Sequence, residues 1–221
     1  PEELRAYMDG FNAKLAATGE NLVGLSKISI QTGTSHGGVV LPDGSIAQVS
    51  VDFDTMLELS RIARNDYGMA GAVQHGASTL PEDAFHKFVE AEACEVHLAT
   101  NFQNILFDHM SDELRTEMYD YLSVNHSNER KPGMTDEQFY YKTRKRAIGP
   151  FKSKTWNMEP HHKELITEAW ESQFSKLFNL LGIAGTAEYV KKTITPTYIQ
   201  PDQDYYLDTE VVDEDISDLA D

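Results

Sequence analysis

The first hundred residues predict an α/β fold with parallel strands, followed by a helical appendage. Strand-like apolar runs recur at residues 27–32, 69–75 and 94–100. Helical periodicity fills the intervals, giving units of about 30 to 40 residues, long enough for the crossover that parallel strands require. Beyond residue 101 the strand signals stop and amphipathic helices take over.

Taken in order, residues 3–18 place Leu4, Met8, Phe11 and Leu15 on one helical face, with Gly19 as a stop. "KISIQT" at 27–32 alternates as a strand does, and the loop after it turns at "PDG", residues 42–44. Asp54 is the expected cap of a helix running to about Arg64, with Gly68 beyond its end. "MAGAVQH" reads as a short buried strand, and Pro81 suits the first turn of a helix through "EDAFHKFVEAEA". In "CEVHLAT" Val96 and Leu98 share one face, while Glu95, His97 and Ala99 share the other. Ser111 opens a helix through Leu122, and Thr135 with Gln138 forms a capping box for one reaching about Ala147. A long helix from about His161 to Leu181 turns Leu165, Ala169, Trp170, Phe174, Leu177, Phe178 and Leu181 inward, with Gly182 as its stop.

The 221 residues, 40% hydrophobic and 10% aromatic, are enough to build a core. No apolar run reaches the roughly 20 residues of a membrane span, and nothing at the start reads as a signal peptide. Cys94 stands alone, so an intrachain disulfide is excluded and a reducing compartment, the cytoplasm, is expected. The chain opens on Pro1 rather than methionine, which points to a processed product or a piece of a longer protein. A net charge of −17 disfavours nucleic acid as a partner. The last 21 residues hold nine acids and no Lys or Arg and read as an exposed tail, with docking of a basic partner as the alternative. Against this trend "KTRKRAIGPFKSK", residues 142–154, concentrates six cations.

Two strand-like runs end on His-Gly: "GTSHGG" at His36 and "VQHGAST" at His75. In parallel α/β folds ligands gather at the carboxyl ends of strands, and His97 lies near the end of the third. Imidazoles from neighbouring strands fit a zinc pair with an open position, or polar, hydrogen-bonded histidines. Gly37-Gly38 and Gly76, with Ser78 and Thr79 just ahead of Pro81, form an open backbone that suits a phosphate, or an ordinary capped strand-to-helix turn. Together the two features point to a phosphorylated carbonyl substrate polarised by a metal.

"GTSHGG", "VQHGAST" and "EVHLAT" resemble, in order and interval, the last three barrel strands of the class II (zinc-dependent) fructose-bisphosphate aldolase family. "GPFKSKTW" and the long C-terminal helix resemble the tail of that family's longer branch, so the likeness spans roughly residues 3 to 185. It implies the C-terminal part of a (β/α)8 TIM barrel over residues 1–110, a helical extension of the same domain over 111–185 and an extended acidic tail over 186–221. It implies zinc on His36 and His75, with a monovalent cation near the phosphate. It also implies substrate and phosphate contacts from Gly37, Gly76, Ser78, His97 and Thr100. The third zinc histidine and the proton-transferring Asp would lie upstream of Pro1. The family forms dimers in which a partner cation reaches the far phosphate, and Lys152 or Lys154 matches that segment, with ordinary surface lysines as the alternative.

The implied activity is reversible aldol cleavage of a ketose bisphosphate, fructose 1,6-bisphosphate, in glycolysis and gluconeogenesis. The chain departs from the family in two places: His97 and Ala99 stand where it has Asn and Asp, and its Gly-Gly-Ser-Gly run after the zinc histidine appears as Gly76-Ala77-Ser78-Thr79. His97 either contacts substrate or fills space as a hydrogen-bonded histidine. A non-catalytic relative that binds sugar phosphates or supports a partner is therefore the alternative expectation, and an isomerase or epimerase on the same barrel class is a third.

Overall fold

The computed structural model describes residues 1–34, 41, 50–78 and 80–201. The chain divides into two units, Pro1–Gly182 and Ile183–Asp221. The first holds a three-stranded parallel sheet, with helices before, between and after the strands.

Helix α1 (Glu2–Ala17) opens with Glu2 and Glu3, whose charges complement the amino end of the helix dipole. Strand β1 (Ile28–Ser29) follows. Helix α2 (Phe53–Tyr67) is capped by Asp52 rather than by Asp54: Asp52 Oδ1 accepts from the Thr55 amide at 2.9 Å and Oδ2 from the Thr55 hydroxyl at 2.7 Å. A cap must accept from the amide two or three positions on, and Asp54 already lies inside the first turn. Gly68 closes α2 in the left-handed conformation, as its place in the sequence predicts.

Strand β2 (Ala72–Gln74) is buried along its whole length. Pro81 caps a 3-10 turn, Glu82–Ala84, before the short helix α3 (His86–Glu90), so the expected continuous helix is broken. Strand β3 (Glu95–Val96) completes the sheet. The order is β1-β2-β3, with Ser29, Val73 and Glu95 in register.

The strands are shorter than predicted, and beyond two of them side chains take the backbone amides. After β1 the chain turns at Gly33, whose φ is +93° and whose amide donates to Gln31 Oε1. After β3 the amides of Ala99 and Thr100 are diverted to the Ser78 hydroxyl, and Thr100 opens helix α4 (Thr100–His109). Helix therefore dominates, at 60%.

Period-two alternation gives the sheet two unlike faces. Ile30 and Val96 join the main core with Val51, Met56, Ala77, Leu80, Phe85, Phe88 and Leu177. The opposite face carries Lys27, Ser29, Val73, Glu95 and His97. Sheet and helices are bolted together at Ser60, fully buried on α2: its Oγ accepts from the Ala72 amide at 3.0 Å and donates to the Glu92 carbonyl at 2.6 Å. Glu92 has a φ of +54°, a left-handed conformation held by Arg61 and Arg64 on its carboxylate and by Arg64 on its carbonyl. A second cluster, Leu4, Met8, Ala63 and Met69, seats α1 on α2.

The helical appendage begins with α5 (Asp112–Asn125), capped by Ser111 as expected. The Thr135–Gln138 capping box is fully formed and starts α6 (Asp136–Thr143). The helix predicted to reach Ala147 instead breaks at Arg144 into α7 (Lys145–Ile148), and "GPFKSKTW" contributes α8 (Lys152–Trp156). Phe107, Met110, Met118, Leu122, Phe139 and Ala147 form the appendage's own core.

Helix α9 (Pro160–Leu180) matches the long predicted helix, but its buried face is narrower. Leu177 is buried as expected and so is Ile166, which the sequence reading passed over, whereas Phe174 and Phe178 remain 45% and 44% exposed. Their rings pack at a tilt, Phe174 against Phe102 with centroids 4.6 Å apart and against Phe178 at 5.9 Å. Among the described residues no helix is long and apolar enough to cross a membrane. The second unit contains α10 (Ala187–Thr193), and most of the acidic tail lies outside the described residues.

Candidate functional site

Of the predicted ligand positions, the described ones (His75, Gly76, Ser78, His97 and Thr100) cluster at the carboxyl ends of β2 and β3, where the parallel sheet delivers them. His75 follows β2 directly and His97 follows β3, and their imidazoles meet with centroids 4.2 Å apart, tilted by 33°. The backbone fixes the pairing, since the His97 amide donates to the Gln74 carbonyl at 2.8 Å.

Beneath the pair lies a polar lock that the sequence reading missed. Fully buried Gln74 accepts at Oε1 from the Thr32 hydroxyl at 2.7 Å and donates through Nε2 to the Thr34 hydroxyl at 2.9 Å. The Thr34 hydroxyl in turn donates to the His75 carbonyl at 2.8 Å. Two threonines and an amide thus tie the exits of β1 and β2 together with every polar atom used, which buried polar groups require. The signal was a glutamine inside the otherwise apolar run "AVQH".

His97 is oriented from its own strand. Its Nε2 and the Glu95 carboxylate share a hydrogen bond, and Lys27 Nζ donates to the same carboxylate from across the sheet. The Lys27 bond, followed by the His97 bond, holds the Glu95 carboxyl below the usual carboxylate range. Glu95 and His97 share one face of β3, and Lys27, two residues before Ser29, belongs to that face too. Neighbouring Cys94 has its thiol pushed up by burial and then by the charge of Glu95, so it is a poor nucleophile.

The turn after β2 builds the other half of the site. Gly76 has a φ of +71°, which a residue with a Cβ rarely adopts. That turn brings Ser78 to the start of α4, where its Oγ accepts from the Ala99 amide at 2.9 Å and from the Thr100 amide at 3.1 Å. Ala99 occupies the N-cap position of α4 with no side-chain acceptor of its own, and Ser78, 21 residues earlier, supplies one. Thr100 lies in the first turn, so its hydroxyl sits at the positive end of the ten-residue helix.

His36, Gly37, Gly38, Thr79 and the "PDG" turn lie outside the described residues. Lys152 and Lys154 are remote in sequence from this cluster and already engaged on α8. Lys152 sits over the Trp156 ring at 4.5 Å, and Lys154 pairs with Glu117 and lies over the Phe151 ring. Among the described residues no group of three His, Cys, Asp or Glu side chains is arranged to hold a metal.

Comparison of the chain with protein-family models, with curated proteins and with solved structures finds no match. Function is therefore read from the geometry: two imidazoles and a serine-bridged helix start converge where parallel strands end.

Proposed function

We propose that this chain is the C-terminal, metal- and phosphate-binding portion of a class II fructose-bisphosphate aldolase on a TIM barrel. The reaction is reversible aldol cleavage of a ketose bisphosphate, fructose 1,6-bisphosphate, to dihydroxyacetone phosphate and glyceraldehyde 3-phosphate. The observation that carries the reading is the convergence of the His75–His97 contact with the Ser78-bridged start of α4. The sequential order of three parallel strands and the polar sheet face bearing Lys27, Glu95 and His97 also fit one sector of a barrel interior.

Imidazole donors at adjacent strand ends suit zinc, and in this reading His36 and His75 hold it with a third histidine from upstream. Bound zinc would supply polarisation of the substrate carbonyl. The chain's own residues do the rest. Gly76 lets the backbone approach a phosphate, Gly37 does the same after β1, and the hydroxyls of Thr100 and Ser78 bind its oxygens. Fixing the phosphate fixes the reacting carbon relative to His75 and His97. Glu95 holds His97 toward substrate, taking the place of the family's Asn. The acid–base Asp, the monovalent cation, the cytoplasmic setting and a homodimer in which Lys152 or Lys154 reaches the partner's substrate follow from the family reading. For Lys154 that role requires release of Glu117, a surface pair worth under about 1 kcal/mol.

Ala99 favours a second reading, because it brings no carboxylate to the strand end. A barrel lacking that group binds sugar phosphates without turning them over. Incubating the full-length gene product with zinc and fructose 1,6-bisphosphate separates the readings. Two triose phosphates are expected; saturable binding without trioses would select the second reading, and an isomeric hexose product would refute both.

A further inference from the structure

Arg144 is a buried cation with no carboxylate in contact, Asp108 acting on it only from longer range. It stands at the break between α6 and α7, only 6% exposed. Its guanidinium lies over the Tyr141 ring at 4.2 Å and the Phe107 ring at 5.2 Å, and its Nη2 donates to Asn104 Oδ1. Its buried Nε has no hydrogen-bond partner, nor does the buried Tyr141 hydroxyl on the preceding turn. Among the described residues no carboxylate lies within ion-pair distance of it, although other cations of the same block, Lys142, Arg146 and Lys154, all have one.

A cation taken out of water normally acquires a paired acid or sheds its proton, and guanidinium does not shed its proton in proteins. Neutral ring faces and one amide oxygen offset only part of that cost. Asn104, which accepts from Arg144, also lines a cleft of about 190 Å³ with Ser78, Asn101, Phe102 and Gln173. A water occupies about 30 Å³ in the liquid, so the buried cation stands one side chain from space that admits a small anion.

We infer that Arg144, Tyr141 and Asn104 form an anion site in the helical appendage that takes an oxyanion, the phosphate or carboxylate group of a small molecule. The unpartnered Nε–H and the Tyr141 O–H are the two donors it offers, and the planar fork of Arg144 supplies the charge. Ser78 lines the far part of the same cleft, but the charge and donors of this site come from the appendage, and it does not rest on the aldolase reading.

The test compares the full chain with its Arg144→Met variant in thermal unfolding, titrated with inorganic phosphate and, separately, with acetate. Without added anion, Arg144→Met unfolds at or above the parent temperature, because an apolar side chain replaces a buried charge that has no ion-pair partner. At a hundredfold excess over Kd the parent gains about 5–11 °C relative to the variant. Phosphate bound at Ser78 raises both proteins equally and is removed by Ser78→Ala, so the difference between parent and variant reports Arg144 alone. A gain with phosphate only assigns a phosphate site; a gain with acetate as well assigns a carboxylate-tolerant one. Equal responses of parent and variant would overturn the inference. If Arg144→Met fails to fold, the ¹⁵N resonance of the Arg144 side-chain Nε–H decides: a saturable shift on phosphate addition supports the site, and an unmoved resonance excludes it.

Discussion

Replacing Ser78 by Ala isolates the contact on which the site's geometry depends. The hydroxyl oxygen accepts from two amides, Ala99 at 2.9 Å and Thr100 at 3.1 Å, at the start of α4. Helix starts leave amides without intrahelical partners, and Ala99 has no side chain to take them. Losing a Ser cap costs about 0.5–2 kcal/mol, and each neutral hydrogen bond contributes about 1 kcal/mol net. Thr100 is half-buried, so water replaces the hydroxyl only in part, and the expected loss is about 1–2 kcal/mol. For a chain of this size that corresponds to a fall in Tm of about 2–8 °C. Hydrogen exchange localises the effect: the Ala99 and Thr100 amides lose protection while β2 keeps its own. A Ser78→Ala variant with unchanged Tm and unchanged exchange at both amides would refute the reasoning.

Other perturbations test the frame around the site. Gly71 has a φ of +136°, and a Cβ there would stand 2.7 Å from Ser60 Oγ and 2.9 Å from an Arg64 nitrogen. Gly71→Ala should cost about 2–3 kcal/mol, measured by denaturant unfolding, because both neighbours are committed to Glu92. Thr135→Ala removes one half of the capping box and should lower stability by about 1 kcal/mol, with α6 amides losing protection first. Glu95 has a folded-state pKa below its unfolded value, so its contribution is present above about pH 4.3 and fades as pH falls through the lower, folded value. Stability profiles of the parent and Glu95→Gln should therefore converge toward acid and separate above that range; parallel profiles would show that the Lys27–Glu95–His97 chain contributes nothing.

Much of this organisation is legible in the sequence where local chemistry decides it. Ser111, Gly68 and the Thr135–Gln138 box act within a few residues, and each does what its type and spacing predict. Crossover lengths imply parallel strands, and the sheet is parallel throughout. Partners distant in sequence are where pattern reading fails. The diversion of the Ala99 and Thr100 amides to Ser78 ends β3 early and starts α4, and nothing within "EVHLAT" signals it. Asp52 displaces Asp54 as a cap because helix registry, set by packing of Met56 and Ser60, decides which acid faces the open amides. On α9 the periodic aromatic stripe predicts burial of Phe174 and Phe178, yet the core contacts fall to Ile166 and Leu177. Gln74 and Arg144 look ordinary in sequence, one in a short strand and one in a basic run; only the fold buries them.

The central claim is that the strand-end imidazoles hold a metal that serves carbon–carbon cleavage. Its most direct test is zinc content together with triose phosphate production from fructose 1,6-bisphosphate, measured on the full-length gene product and on His75→Ala. The account predicts bound zinc and cleavage in the parent, with both lost in a variant that remains folded by circular dichroism. Retained cleavage in the folded His75→Ala protein would contradict it.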